Sequence, residues 1–279
     1  MERVTYLGPQ GTFSEEAAQI FLAQSYIEAQ LQPCTTIFTC VEAVEDGDAR
    51  YAVVPLENSL EGSVHDTLDV LTTSLRMMIV AELDVDIEHN LLAVSGTQRE
   101  VRQLYSHPQA LGQCRNFLRR TLPDAEIIPV LSTAQAAEIV AAKGAGTAAI
   151  ASVRAAGHYG LQNLASGIQD TLSRTRFVVL GNGESRLGEA VKTSVLFSVK
   201  NAAGSLFRVL QAFARHKVNL TRIESRPAKS RLGEYIFFVD LDGTPDQADI
   251  KAALREASQE AVMLKLLGAY PVLDSVAGV

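Results

Sequence analysis

No stretch of the 279-residue sequence holds the roughly 18 uninterrupted apolar residues that a membrane-spanning helix needs. Met1 to Gly11 is polar and strand-like, with no basic segment followed by an apolar core, so no signal peptide is read there and a cytoplasmic protein is expected. Cysteine is scarce. Cys34, Cys40 and Cys114 are an odd number without CxxC or Cys/His metal spacing, which argues against a disulfide framework and a structural zinc site. His65, His89, His107 and His158 show no metal spacing either, and each alone is more often structural than catalytic. The GxSxG elbow, the Walker A loop and the GxGxxG fingerprint are missing, which removes support for a hydrolase triad, an NTPase or a dinucleotide enzyme. Neither a cofactor nor a metal is expected. Basic charge is short as well: 25 Lys and Arg against 32 Asp and Glu give a net charge of -7, which speaks against a nucleic-acid partner.

What is present is ordinary globular material, 47% apolar and 20% charged, in a length that at about 150 residues per domain suggests roughly two domains. Charge is unevenly spread. Residues 1–189 carry 13 basic and 23 acidic side chains and residues 190–279 carry 12 and 9, so a boundary is placed near Gly181–Gly188, giving domains 1–183 and 190–279. Before the boundary, short runs rich in Val, Ile and Tyr alternate with helical patterns: 4–7 then 14–24, 51–54 then 63–72, 103–105 then a helix over 108–122, and 126–130, 133–142, 147–151. This predicts an α/β sheet covered by helices. The extended segment 77–94 reads as a strand pair or a crossover between two lobes. After the boundary the order is strand 193–199, helix 204–216, strands 218–224 and 235–241, helix 246–256 and strand 262–267, the ferredoxin-like βαββαβ order. Leu206, Val209, Leu210 and Phe213 give its first helix one apolar face.

Hydroxyl residues close several strand-to-helix turns: Gly8–Ser14, Asn58–Ser63, Ser132–Thr133 and Ser152. Each is read as an N-cap, with Thr12 and Glu15 as a capping box. Together they also suit a small carboxylate ligand held between lobes, because strand ends in open sheets offer unpaired N–H groups and positive helix ends.

The fragments Gly8-Pro9-Gln10-Gly11-Thr12-Phe13-Ser14, Pro55-Leu56-Glu57-Asn58-Ser59, Ser106-His107-Pro108-Gln109-Ala110-Leu111 through Cys114, Ser132-Thr133-Ala134 and Thr175-Arg176-Phe177 occur in that order. Gly204-Ser205-Leu206-Phe207 and Glu224-Ser225-Arg226-Pro227 follow. On these the chain resembles the prephenate dehydratases that carry a C-terminal ACT regulatory domain, over nearly its whole length. The resemblance implies a bilobal catalytic domain like a type II periplasmic binding protein, plus a ferredoxin-like ACT domain. It also implies loss of carbon dioxide and water from prephenate to give phenylpyruvate in phenylalanine biosynthesis, feedback by L-phenylalanine through the ACT domain, and a homodimer or homotetramer.

It further implies the site. Thr175 assists the departing hydroxyl, with Arg176 as a carboxylate partner and Asn58 and Ser59 beside them. Gln10, Thr12, Ser14, Ser132, Thr133 and Phe177 bind substrate, and Glu57 is a second candidate acid. His107 is read as lobe packing. Against these stand plainer readings: Thr175 as a β-branched strand residue and Arg176 as the partner of an acid between lobes. The family's asparagine two residues before the motif threonine is here Ser173, which keeps a hydroxyl and loses an amide. For phenylalanine the implied positions are Gly204, Ser205, Leu206, Asn219, Leu220, Glu224, Ser225 and Arg226; Glu224 and Arg226 would otherwise be a solvated pair. Two alternatives stay open: arogenate, the amino analogue, as substrate, and a non-catalytic receptor for a small acid.

Overall fold

The computed structural model describes residues 2–185, 187–228 and 234–274. In the first lobe β1 (Glu2–Leu7), β2 (Ala29–Cys34) and β3 (Tyr51–Asn58) run parallel, linked through α1 (Phe13–Ser25) and α2 (Ile37–Glu45). The short β4 (Gly62–Ser63) folds back on β3, and α3 (His65–Thr73) leads to β5 (Met77–Ile87). The chain then crosses over at Glu88 and His89. In the second lobe come β6 (Asn90–Ala93), β7 (Gln103–Ser106), α4 (Pro108–Gln113), α5 (Arg115–Thr121), β8 (Glu126–Pro129), α6 (Thr133–Lys143), β9 (Thr147–Ala151), α7 (Val153–Tyr159) and β10 (Gln162–Ala165). It returns through β11 (Ser173–Asn182), which inserts between β5 and β3, antiparallel to both. Segment 77–94 is therefore the crossover, with β5 in one sheet and β6 in the other.

The last third is β12 (Lys192–Ser198), α8 (Ser205–Arg215), β13 (Leu220–Pro227), β14 (Tyr235–Asp242), α9 (Ala248–Glu260) and β15 (Met263–Tyr270), a sheet ordered β13-β14-β12-β15. A final strand, β16 (Val272–Leu273), leaves this domain and pairs with β5 in the first sheet. One face of the small sheet carries α8 and α9 over Val195, Phe197, Val239 and Leu241. Its other face does not meet solvent: Leu196, Ile236, Phe238 and Leu267 share a core with Val54, Leu56, Leu68, Val178 and Leu180 of the first lobe. Gly268 makes that contact possible, since a Cβ there would collide with the Ile79 carbonyl of β5.

Several local expectations are corrected. The helix over 108–122 is two helices, broken at Cys114, whose φ of -109° and ψ of 17° are not helical. Thr12 caps α1 by accepting from the Glu15 N–H, but the Glu15 carboxylate reaches the Gly11 N–H rather than that of Thr12, so the capping box is not formed. Ser132 and Ser152 are caps; Ser63 is not, because α3 starts after Val64 and the Ser63 hydroxyl receives Arg222 from the small domain. β2 has no counterpart in the apolar pattern because it is a largely exposed edge strand containing Pro33, where alternation is weak.

Candidate active site

The site is built by an irregularity in β3. Phe177 pairs with Pro55 and Arg176 with Glu57, so Leu56 is an extra residue on β3 and the strand changes phase there. Without that bulge Asn58 would lie on the face of Val54 and Leu56. With it, Asn58 stands directly opposite Thr175 on the interlobe face, and Glu57 stands opposite Arg176 on the face turned to the small domain.

The consequence is a tight polar pair. Asn58 Nδ2 donates to Thr175 Oγ1 at 2.9 Å and to Ser173 Oγ at 2.9 Å, while Asn58 Oδ1 accepts from the N–H groups of Leu60 and Glu61 at 2.9 and 3.1 Å. Every lone pair and proton of that amide is assigned, so its orientation is fixed. Thr175 and Ser173 are both buried. Since Thr175 Oγ1 already receives a proton from Asn58, its own O–H is the group it has to offer. Ser173 takes part through its hydroxyl.

Asn58 and Thr175 open onto a cavity of about 220 Å³ between the lobes. Phe13 and Ile87 complete the first lobe's share of its wall; His107, Gln109, Gln113, Leu131, Ser132 and Thr133 come from the second lobe and His89 from the crossover. Ser132 and Thr133 stand at the amino end of α6, an 11-residue helix whose unpaired N–H groups and dipole favour an anion. None of the described lining residues is Asp, Glu, Lys or Arg, so an anion entering here meets hydroxyls, amides and imidazoles. His107 therefore belongs to the cavity wall, not to lobe packing alone. Its Nδ1 accepts from the Gln109 N–H. His89 is held below the usual imidazole range, chiefly by burial, with a hydrogen bond to Gln113 acting in the opposite sense.

Other expected positions lie elsewhere. Thr12 Oγ1 is committed to capping and to the carbonyls of Leu7 and Pro9, Gln10 is exposed in the turn, and Ser14 is buried in the first turn of α1. None of the three lines the cavity. Ser59 ties the strand ends together: its N–H donates to the Arg174 carbonyl and its Oγ accepts from the Arg174 N–H. Phe177 is core, packed with Phe21 and Val53. Arg176 follows Thr175 on a strand and so points to the opposite face. There it reaches Asp240 at 3.2 Å and Glu57 and Glu82 at 3.5 Å. Burial works against its charge, yet these carboxylates outweigh it and raise Arg176 above the ordinary guanidinium range. Arg176 is thus not a cavity residue but a partner of acids between domains, and Glu57, shared with Arg222 at 3.1 Å, is turned away from the cavity too.

A buried network continues behind the pair. Lys192 Nζ donates to Glu82 at 2.7 Å, and Ser194 Oγ donates to Asp240 and bonds Tyr270 Oη, each at 2.6 Å. Burial, then Asp240 and Glu82, push the Tyr270 phenol well above its ordinary value. In the small domain Gly204 caps α8 with φ +78°, a left-handed conformation suited to glycine. Ser205 is buried and accepts from Arg208. Glu224 and Arg226 are not a solvated pair at a strand end: both stand on the face turned to the first lobe, where Arg226 meets Asp69 of α3 at 3.1 Å, and Ser225 is exposed on the other face. Gly204–Leu206 lie at the Pro227 end of β13, and Asn219 and Leu220 at its other end. Phe13, Ile87, His89, Gln109, Gln113 and Leu131 were missed by sequence reasoning. Gln109 and Gln113, one helical turn apart inside the 106–114 fragment, were the available signal.

A two-lobed α/β unit with an interlobe cavity of mixed polar and apolar wall, fused through a shared core to a ferredoxin-like domain, defines a class of two-lobed proteins with a second domain packed behind the cavity. The comparisons place the chain within it. A family described as prephenate dehydratase matches residues 4–185, and the ACT domain matches residues 193–259. The chain belongs to the prephenate dehydratase family. It is 42% identical to a bifunctional chorismate mutase/prephenate dehydratase of Aquifex aeolicus, over 96% of this chain and 73% of that protein. It is 37% identical to a prephenate dehydratase of Methanocaldococcus jannaschii, over 97% and 98%. Among solved structures, a prephenate dehydratase of Arthrobacter aurescens in complex with L-Phe superposes with a TM-score of 0.86 at 34% identity, covering 96% of this chain and 89% of that one. A structure described as a novel type of quorum quenching acylase, GqqA, superposes with a TM-score of 0.87 at 30% identity, covering 97% and 98%.

Proposed function

We propose that the interlobe cavity binds prephenate and converts it to phenylpyruvate, carbon dioxide and water, with Thr175 as the hydrogen-bond donor to the departing hydroxyl. The observation that carries this reading is the 2.9 Å contact from Asn58 Nδ2 to Thr175 Oγ1. In the reaction the bond to the ring carboxylate breaks and its electron pair enters the ring. The C–O bond at ring C4 breaks with its pair on oxygen, and one proton turns that hydroxide into water. A hydroxyl whose acceptor side is occupied, with its proton left to offer to the cavity, stabilises the oxygen as its charge grows, and the proton it gives up is replaced from solvent. Ser132, Thr133 and the amino end of α6 receive a carboxylate. Acyl transfer, the chemistry in the description of the GqqA structure, is less well served: Thr175 Oγ1 is bonded to an amide donor, which cannot take its proton as a base would.

The second domain takes phenylalanine as a feedback ligand. Gly204–Leu206 and Asn219–Leu220 are separated by the length of the eight-residue β13, roughly 25 Å at about 3.3 Å per residue, more than one amino acid spans. If both sets touch the same ligand, the second comes from another copy of the chain, which supports a homodimer as the smallest unit and allows a homotetramer. A cytoplasmic location fits the role; no helix among the described residues is long and apolar enough to cross a membrane. The keto group of prephenate and the amino group of arogenate distinguish the two substrates, and both are to be offered. The test is Thr175→Val: kcat with prephenate falls about 10²- to 10³-fold while KM stays within about threefold, and Thr175→Ser recovers part of the rate. A near-normal kcat in the valine enzyme overturns the assignment.

A further inference from the structure

His89 combines features that its surface share does not suggest. It is 4% exposed, lines the cavity, and stands edge-on to Phe13 with ring centroids 6.0 Å apart. Its Nε2 lies 3.0 Å from Gln113 Oε1, and within the described residues its Nδ1 is buried without a hydrogen-bond partner. An amide oxygen accepts only, so the proton of a neutral ring in this arrangement is on Nε2 and the unpartnered Nδ1 carries the lone pair. The main chain fixes both residues through one segment. The Ile168 N–H donates to the His89 carbonyl, the His89 N–H donates to Gln169 Oε1, and the Asp170 N–H donates to the Gln113 carbonyl. That segment leads directly into β11 and Thr175.

We propose that His89 is a positioning residue for the dehydration: protonated on Nε2, it holds the Gln113 carboxamide oxygen, so that the Gln113 NH2 is presented to the cavity as a donor to a substrate oxygen. The inference rests on the prephenate reading above and gives it a second oriented amide. Asn58 is locked through its oxygen by two backbone N–H groups and offers its NH2 to Thr175; Gln113 is locked through its oxygen by an imidazole and offers its NH2 to the ligand. A cavity wall whose described residues include no Lys or Arg binds a doubly charged ligand through such oriented dipoles, and an amide free to rotate by half a turn would present a repelling oxygen as often as an attracting donor.

The experiment compares prephenate turnover by the full chain as wild type, His89→Gln, His89→Leu, Gln113→Leu and the double variant His89→Leu/Gln113→Leu. His89→Leu lowers kcat/KM about tenfold, the loss of one hydrogen bond's orienting effect. His89→Gln, which can still place an N–H near the Nε2 position, recovers part of it. His89→Leu has no further effect once Gln113 is leucine, a non-additivity that a purely structural histidine would not produce. Equal losses in both backgrounds, or unchanged kcat/KM in a folded His89→Leu protein, overturn the proposal. Nitrogen-15 NMR of wild-type His89 gives a reading independent of variant folding: a proton on Nε2 supports it, and a neutral ring with the proton on Nδ1 contradicts it. Wild-type protein that fails to turn over prephenate refutes the functional reading instead, before any variant is compared.

Discussion

Asn58 orients Thr175 with one end and anchors itself with the other, so its variants separate the two effects. Asn58→Leu removes both; kcat with prephenate falls about 10²-fold as Thr175 loses its fixed direction. Asn58→Asp keeps an oxygen for the Leu60 and Glu61 N–H groups but has no proton to give. Its carboxylate accepts the Thr175 O–H, drawing the proton away from the leaving oxygen, and repels a dicarboxylate, so kcat falls and KM rises together in steady-state kinetics. An Asn58→Asp enzyme with both constants within roughly twofold of wild type contradicts this role. Thr175 was legible in the sequence through its motif. The direction of Arg176 was legible too: consecutive strand residues face opposite ways, so the two do not share a cavity, and of its two readings the contacts favour the partner of an acid. The phase of Asn58 was not legible, because it depends on where β3 bulges against β11. Nor was the commitment of Thr12 to its own helix cap, which only the positions of the Leu7 and Pro9 carbonyls reveal.

Among the elements, β3 and β11 act as a partition. Asn58 and Thr175 stand on the side of the cavity, Glu57 and Arg176 on the side of the small domain, on adjacent residues of the same two strands. The small domain grips that second side through Asp240 on β14 and Arg222 on β13, and Lys265 on β15 donates to the Leu71 carbonyl of α3. Arg176→Ala leaves the buried carboxylates of Glu82 and Asp240 short of a counter-charge, and the expected cost is about 2–4 kcal/mol in denaturant unfolding. Adding Glu82→Gln to that variant returns part of the loss. Unfolding midpoints unchanged by Arg176→Ala would mean that the cluster is solvated and does not join the domains. The alternation of strands and helices was readable from apolar periodicity, and so was the ferredoxin-like order. The edge strand β2 was not, because its stability comes from pairing with β1 rather than from an apolar pattern of its own.

In the whole molecule the regulatory domain is not an appendage on a linker. Its sheet closes one core with the first lobe, and β16 returns to that lobe's sheet beside β5. We place the domain boundary in the 183–190 stretch as a change of fold, not as a separation of cores. The charge shift along the sequence suggested a boundary in that stretch but carried no sign of the shared core, since Leu196, Phe238 and Leu267 read equally well as the inner face of an independent domain. A change at the proposed phenylalanine positions of β13 would have a short route to the proposed catalytic pair: the same strand carries Arg222 to Glu57, the residue preceding Asn58. The most direct measurement of the central claim follows phenylpyruvate formation from prephenate by the purified chain as phenylalanine is titrated, with mass in solution read on the same samples. The account predicts phenylpyruvate in the absence of phenylalanine, and a rate that falls as phenylalanine rises, in step with a change in association. Prephenate left unconverted by folded wild-type protein would contradict it.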